Sequence, residues 1–344
     1  MVDMLYLSYR MTRYEYNIAF KDLQSYLKQN YSKNQLHKDQ RDRNSYVTNA
    51  LSKHGFQEIR LRKPAWGFGF IEIRFRPQLI INELGYYSLT NISEFKSISE
   101  QFNRVLKDFL SLDVPDFFEW KAKRIEAAID LSMSEELIPK YLLLFKRGYI
   151  PEYFRENKQT QNYWSSHTNV YLMSNNKTVN WYNRYETLLD KQSKSEKQYQ
   201  DFSETRGILR FETQVRDGNE LVVDVLDQER LKKEVMKFYK LIVGKGDYYT
   251  LNKAMLLISQ NESNQYKRQE LAHMLKLIDS CGGINSAKMI FIKGRDSKKA
   301  ADKFGKLIKK LRDLNINPVI IPDEWGIESL ENPYHRIKKG FELD

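Results

Sequence analysis

Two hydrophobic periods run along this chain. A period of two, with β-branched or aromatic residues, marks VDMLYLSY (2–9), FQEIRLR (56–62), GFGFIEIRFR (67–76), KRIEAAIDLS (123–132), NVYLMS (169–174), the stretch 178–188 and GILRFETQVR (207–216) as strands. Lys63-Pro64 and the nearby glycines punctuate a hairpin between the second and third of these, and Asn175-Asn176 and Asp217-Gly218 mark further turns. A helical period replaces the alternation at Phe95, Ile98, Phe102, Val105, Leu106 and Phe109, predicting a helix over 93–111 that Pro115 closes off. Amphipathic stretches near 17–30 and 134–147 predict two more, while the polar run at 28–45 reads as a surface loop and 151–168 as a polar segment.

Strands interleaved with helices and joined by hairpins predict an α+β fold: an antiparallel sheet flanked by helices, occupying 1–225. From 226 to 344 the chain turns helical and lysine-rich, which predicts a second, basic C-terminal domain for DNA binding or an accessory role. Leu271, Met274, Leu275 and Ile278 share one helix face that ends at the C-cap signal Gly282-Gly283. Over 297–314 an apolar stripe (Ala300, Phe304, Leu307, Ile308, Leu311, Leu314) is surrounded by lysines, among them Lys299, Lys303, Lys306 and Lys310. That basic face is either simply solvated or a phosphate-contacting surface. The sequence shows no internal repeat and no low-complexity segment.

Charge sharpens the choice of partner. Lys and Arg outnumber Asp and Glu by 56 to 45, and 13% of the residues are aromatic. Phosphate neutralisation and base stacking draw on those two residue classes, so a nucleic acid is favoured over an acidic small molecule. The one cysteine, Cys281, rules out an intramolecular disulfide and a cysteine zinc site. With no apolar leader and no apolar run of bilayer length, the expectation is a cytoplasmic protein with no membrane partner.

Three strands carry acids in unusual places. Alternation puts Glu72 on one face with Arg74 and Arg76, sets Arg124, Glu126 and Asp130 together, and groups Arg210 with Glu212, Gln214 and Arg216. Each strand therefore has an apolar side and a side mixing carboxylates with arginines. Cross-strand ion pairs on a solvated face account for such a pattern. If the faces converge, the same carboxylates form a hard-oxygen cluster suited to Mg²⁺ or Mn²⁺ and able to polarise a phosphodiester. The five histidines (His37, His54, His167, His273, His335) make no metal-binding pair, and without a Walker sequence no nucleotide cofactor is expected.

Taken in order, MVDMLYLSY, FIEIRFRPQLIINELG, KRIEAAIDLS and GILRFETQVR resemble the replication initiation proteins of filamentous phages, the gene II/X family, distantly related to the plasmid Rep initiators of Gram-positive bacteria. The resemblance covers roughly residues 1–220 and lies in the order of short motifs. It implies a rolling-circle Rep nuclease-like fold and a site-specific endonuclease that nicks one origin strand by tyrosine attack. Such an enzyme holds the 5′ end as a phosphotyrosine and later rejoins the strands. In "KTVNWYNRYETLLD" (177–190), the tyrosine two residues before a basic residue matches the family nucleophile, so Tyr182 takes that role. Arg184 and Arg210 are then phosphate ligands, Glu72, Glu126 and Glu212 metal ligands with Asp130 a further candidate, and Arg74, Arg76, Lys299, Lys303, Lys306 and Lys310 DNA contacts. Alternation along a strand over 178–188 groups Tyr182, Arg184 and Glu186, and turns Trp181 and Tyr185 the other way.

The chain departs from the family in carrying Glu126 where an aspartate is usual, and it lacks the His-hydrophobic-His motif of broader rolling-circle nucleases. Implied partners are single-stranded or supercoiled origin DNA and a host helicase, in the cytoplasm of a bacterial host cell. Two alternatives stand beside this one: a conjugative or transposon relaxase with the same chemistry, and a non-catalytic origin-binding regulator.

Overall fold

The computed structural model describes residues 1–31, 36–40, 42–65, 67–82, 85, 88–156, 168–193, 201–216 and 218–340. The chain opens with β1 (Val2–Thr12), which runs directly into α1 (Arg13–Asn30). Thr12 makes the switch: its hydroxyl accepts from the Glu15 amide while the Glu15 carboxylate accepts from the Thr12 amide. This reciprocal cap satisfies backbone donors that a helix start leaves free. The chain returns through β2 (His37–Lys38), β3 (Ser45–Thr48), β4 (Phe56–Ala65) and β5 (Phe68–Phe75), and β5 pairs with β1. After α2 (Gln78–Ile81) and α3 (Phe95–Phe109) come β6 (Lys121–Ser132), α4 (Leu137–Lys146), β7 (Arg155–Glu156) and β8 (Asn169–Met173). Next are β9 (Lys177–Asn183), α5 (Arg184–Ser193) and β10 (Ile208–Val215), which pairs with β6 as β5 pairs with β1.

These strands form one ten-stranded sheet in the order β2-β3-β4-β5-β1-β6-β10-β9-β8-β7, antiparallel at each described pairing. The order is a palindrome centred on the β1–β6 pair. Each half is a strand, a helix and four returning strands, the last of which lies beside the first. The sequence has no matching repeat because only the backbone path, and not the residue pattern, is shared.

The apolar face of this sheet carries the helices, and aromatic side chains make the seam. Phe102 of α3 stacks on Phe56 at 5.1 Å and meets Phe75 edge-on at 5.0 Å. In the other half Phe145 of α4 packs on Trp181, and Trp181 stacks on Phe211 at 4.7 Å. The C-terminal region is helical, with α6 (Val222–Val225), α7 (Gln228–Ile242), α8 (Leu251–Asn261), α9 (Gln265–Ser280), α10 (Ile284–Ile292), α11 (Ser297–Asp313) and α12 (Tyr334–Gly340). Its first long helix belongs to the same core, since Tyr239 of α7 lies edge-on against Phe211 at 5.6 Å. Helix α9 ends as its glycines predict: Gly282 adopts φ +72, its amide bonds Asp279, and the Gly283 amide bonds Ile278. No described helix is long and apolar enough to cross a membrane.

Two local expectations are corrected. The run at 28–45 is not wholly loop, because His37–Lys38 adds an edge strand beside β3; residues 32–35 and 41 lie outside the described residues. The strand expected over 178–188 stops at Asn183, whose side-chain oxygen accepts from the Glu186 amide and starts α5 at Arg184. An asparagine whose side chain satisfies an amide of the first turn is a helix N-cap, and it ends the alternation there.

Candidate active site

Opposite the helices, the sheet's second face is polar, and its centre is closed to solvent. Register brings the groups together. Tyr182 on β9 stands across from Arg210 on β10, Arg210 across from Asp130 on β6, and Gln214 across from Glu126. On the other side of β6, Met4 of β1 opposes Glu126. Between Val2 and Met4 the β1–β6 register shifts, so Asp3 is an extra residue in its strand. Strict alternation would leave Asp3 beside Leu5 and Leu7 in the apolar core. The bulge re-aims it, as bulges do, onto the polar face.

Carboxylate oxygens of Asp3, Glu126 and Glu212 consequently lie within 4.8 Å of one another, all three buried. Arginines surround them. Arg210, fully buried, sends Nε and Nη2 to the two oxygens of Asp130 at 2.6 and 2.7 Å, and Nη1 to Asp3 at 2.9 Å. Arg76 contacts Asp3 at 3.2 Å and Arg124 contacts Glu126 at 3.0 Å. Burial by itself would raise the Asp3 carboxyl, but Arg76 and Arg210 outweigh it and hold the group well below the usual carboxylate range. Glu126 goes the other way. Burial first, and the adjacent Glu212 second, push it up to about 8.

Tyr182 touches this cluster directly. Its hydroxyl donates to Glu212 Oε2 at 3.1 Å and accepts from Arg184 Nη1 at 3.4 Å, and Gln214 Nε2 donates to the other Glu212 oxygen at 3.0 Å. Burial, then the Glu212 charge, raise the phenol well above its ordinary value, with Arg210 and Arg184 pulling back part of the way. At 4% exposure Tyr182 is not a surface group.

Of the sequence-derived site, Tyr182, Arg184, Arg210, Glu126 and Glu212 are thus brought together, with Asp130 held at the edge by Arg210. Glu72 is elsewhere. It sits across from Ser8, four residues along β1 from Met4, or about 13 Å, and binds Tyr6, Arg62 and Lys123. Arg210 is also not an open phosphate fork, because its donors are taken by Asp130 and Asp3. Arg76 is buried on Asp3 instead of facing DNA, and the half-buried Arg74 reaches Met4 Sδ at 3.9 Å.

On α11, Lys303 pairs with Glu270 at 2.6 Å and Lys310 pairs with Glu262, while Lys299 contacts Asp296 at 3.3 Å and Lys306 is exposed. Glu186, expected on the Tyr182 face, is exposed on α5. Tyr185, expected to pack with Trp181, lies half-buried under the Arg206 guanidinium at 4.1 Å and accepts from it at 2.8 Å. Asp3 was missed; the available signal was a charge at an apolar position of an alternating strand.

The geometry defines an α+β protein with a buried acidic cluster hydrogen-bonded to a tyrosine on a large antiparallel sheet. Compared with models of known protein families, with the curated proteins and with the solved structures, the chain matches none.

Proposed function

We propose that the protein is a metal-dependent DNA endonuclease that nicks one strand through Tyr182 and rejoins it, acting as a rolling-circle replication initiator with a host helicase as its partner. The observation that carries this reading is the Tyr182–Glu212 hydrogen bond within a group of three carboxylates. Three hard-oxygen donors on neighbouring strands suit Mg²⁺ or Mn²⁺, held by Asp3, Glu126 and Glu212. The raised Glu126 carboxyl supports the fit, since a cation would take the place of its proton. When bound, the metal supplies positive charge for the phosphoryl oxygens.

The chain's own groups account for the proton and the phenolate. Tyr182 passes its proton to Glu212, to which it is already bonded, and the phenolate oxygen forms the new bond to phosphorus. The bond to the 3′ oxygen breaks, and that oxygen leaves as a hydroxyl after taking a proton from water. Arg184 stabilises the phenolate, which a phenol raised by burial requires. Joining is the reverse, with a 3′-OH attacking the phosphotyrosine.

A second reading is favoured by one specific feature. Four carboxylates (Asp3, Asp130, Glu126, Glu212) stand among four arginines (Arg76, Arg124, Arg184, Arg210), and a purely structural network in a non-catalytic DNA-binding protein would be balanced in the same way. Incubation with 3′-labelled single-stranded oligonucleotides of random sequence and Mn²⁺, followed by denaturing electrophoresis, separates the two. The expected result is a protein–DNA adduct for the wild type and none for Tyr182→Phe. An adduct retained in full by Tyr182→Phe sinks the nucleophile assignment.

A further inference from the structure

The palindromic sheet holds a second polar cluster at the position that mirrors the first. Glu72 opposes Ser8 and Arg60 as Glu212 opposes Ala128 and Asn180. Two residues further, Arg62 opposes Phe70 where Tyr182 opposes Arg210. Tyr6 and Glu126 stand two residues before Ser8 and Ala128 respectively. The bulges match too: β1 gains Asp3, and the second β1–β6 shift, between Tyr6 and Leu7, makes Lys123 the extra residue of β6. Where one cluster has three carboxylates and a phenol, the other therefore has one carboxylate, a phenol and two cations. Glu72 is buried and binds Tyr6 at 2.7 Å as well as Lys123 and Arg62.

Lys123 and Arg62 remain partly open, with side chains 27% and 38% exposed. An ammonium has three donors and a guanidinium five, so anchoring on one carboxylate leaves donors for a phosphate. Beside them two aromatic rings stand on the same polar face. Phe68 is 40% exposed with the Arg10 guanidinium 3.5 Å over its ring, and Phe70 has Arg62 at 4.9 Å and Lys123 at 5.5 Å. Rings and cations interleaved on an open sheet face are the stacking and phosphate elements that single-stranded nucleic acids use.

We propose that this face, with Phe68 and Phe70 as stacking surfaces and Arg10, Arg62 and Lys123 as phosphate contacts, is a docking platform for single-stranded DNA. β5 and β9, which carries Tyr182, are four strand spacings apart, about 19 Å, so a strand with one phosphodiester at Tyr182 lies on the platform within a few nucleotides. The platform rests on the nicking reading only for the choice of DNA as ligand.

The test is fluorescence anisotropy of a labelled oligo-dT with the full chain, for wild type, Phe68→Leu, Phe70→Leu, Arg10→Gln and Lys123→Gln. Leucine keeps apolar bulk while removing the stacking face. Each ring change is expected to weaken binding roughly 5- to 150-fold, and each charge change to reduce the salt slope by about 0.7. Tyr14→Ala, an exposed aromatic on α1, is the control and is expected to bind as wild type does. Wild-type affinity in all four platform variants, or an equal loss in Tyr14→Ala, overturns the proposal, as does equally tight binding of a duplex of the same length. Thermal melting of each variant separates loss of binding from loss of fold. Platform-dependent binding without a Tyr182 adduct would leave this inference standing and remove the nicking reading; a Tyr182 adduct with binding indifferent to the platform would do the reverse.

Discussion

Glu126→Gln tests whether burial stresses the acidic cluster. In the fold the Glu126 carboxyl is raised from 4.5 to about 8 by burial and by Glu212. A raised acid favours its protonated form in the folded state, so its contribution is fully present below 4.5 and is lost as pH rises through 8. From 4.5 to 7 is about 2.5 pH units at about 1.4 kcal/mol each, a loss on the order of 3 kcal/mol from this group alone. Asp3 and Glu72 are shifted downward, so their contributions fall away on the acid side of the same window and do not mimic the effect. Glutamine keeps the shape and an oxygen for Arg124, whose side chain is 20% exposed and therefore still partly solvated. Urea denaturation in metal-free buffer between pH 5 and 8 is the assay. Wild type should lose stability with rising pH, the variant should lack that slope, and the variant should be the more stable of the two at pH 7.5. Added Mn²⁺ should restore wild type at pH 7.5 and do less for the variant. A variant less stable than wild type throughout, with wild type flat across the window, refutes the argument.

Other changes probe different parts of the same structure. Asp3→Ala strips a carboxylate from the buried Arg76 and Arg210, and should cost about 3–5 kcal/mol in urea denaturation; a cost under about 1 kcal/mol would mean the bulge does not bury a needed charge. Trp181→Ala removes a ring stacked on Phe211 and should cost about 3–5 kcal/mol, whereas Tyr185→Ala, half-buried on α5, should cost less than about 1 kcal/mol. Equal losses at the two positions would mean that the strand does continue past Asn183. Lys306→Gln should lower the salt slope of DNA binding if α11 touches phosphates, while a slope equal to wild type assigns that basic face to solvation.

Much of the fold was legible because its elements depend on local periodicity. The Phe95–Phe109 helix, the long strands and the Gly282-Gly283 cap all follow from spacing or from a residue's own backbone preference. The site was legible only where alternation survived, as for Glu126, Glu212 and Arg210. Asp3 was hidden because a bulge changes which face a residue takes, and the register shift that creates it depends on a partner strand over a hundred residues away. The end of β9 was in fact written locally: Asn183-Arg184-Tyr185-Glu186 has the Asn-x-x-Glu spacing of a helix start, and the strand pattern through Trp181 and Tyr182 masked it. Glu72 was misassigned for a different reason. Its strand has the pattern expected of a ligand strand, but alternation gives a face and not a position along the sheet.

That distinction explains how one backbone unit, used twice, supports two kinds of chemistry. Each half offers a central carboxylate on the strand beside β1 or β6, and a bulge on the central pair that turns one extra side chain toward it. With Asp3 as the extra side chain, negative charges crowd together and push the Glu126 carboxyl up, which on the proposed reading is what a bound cation would relieve. With Lys123 instead, the cation is built in, and hydrogen bonds from Lys123 and Tyr6 outweigh the burial that would otherwise raise Glu72, so the carboxyl stays low. The two clusters share a sheet face, so opposite responses to divalent metal follow: added Mn²⁺ should act on the cluster around Tyr182 and Glu212 and leave the cluster around Glu72 unchanged, a contrast that chemical-shift changes mapped onto β5 and β10 would read directly.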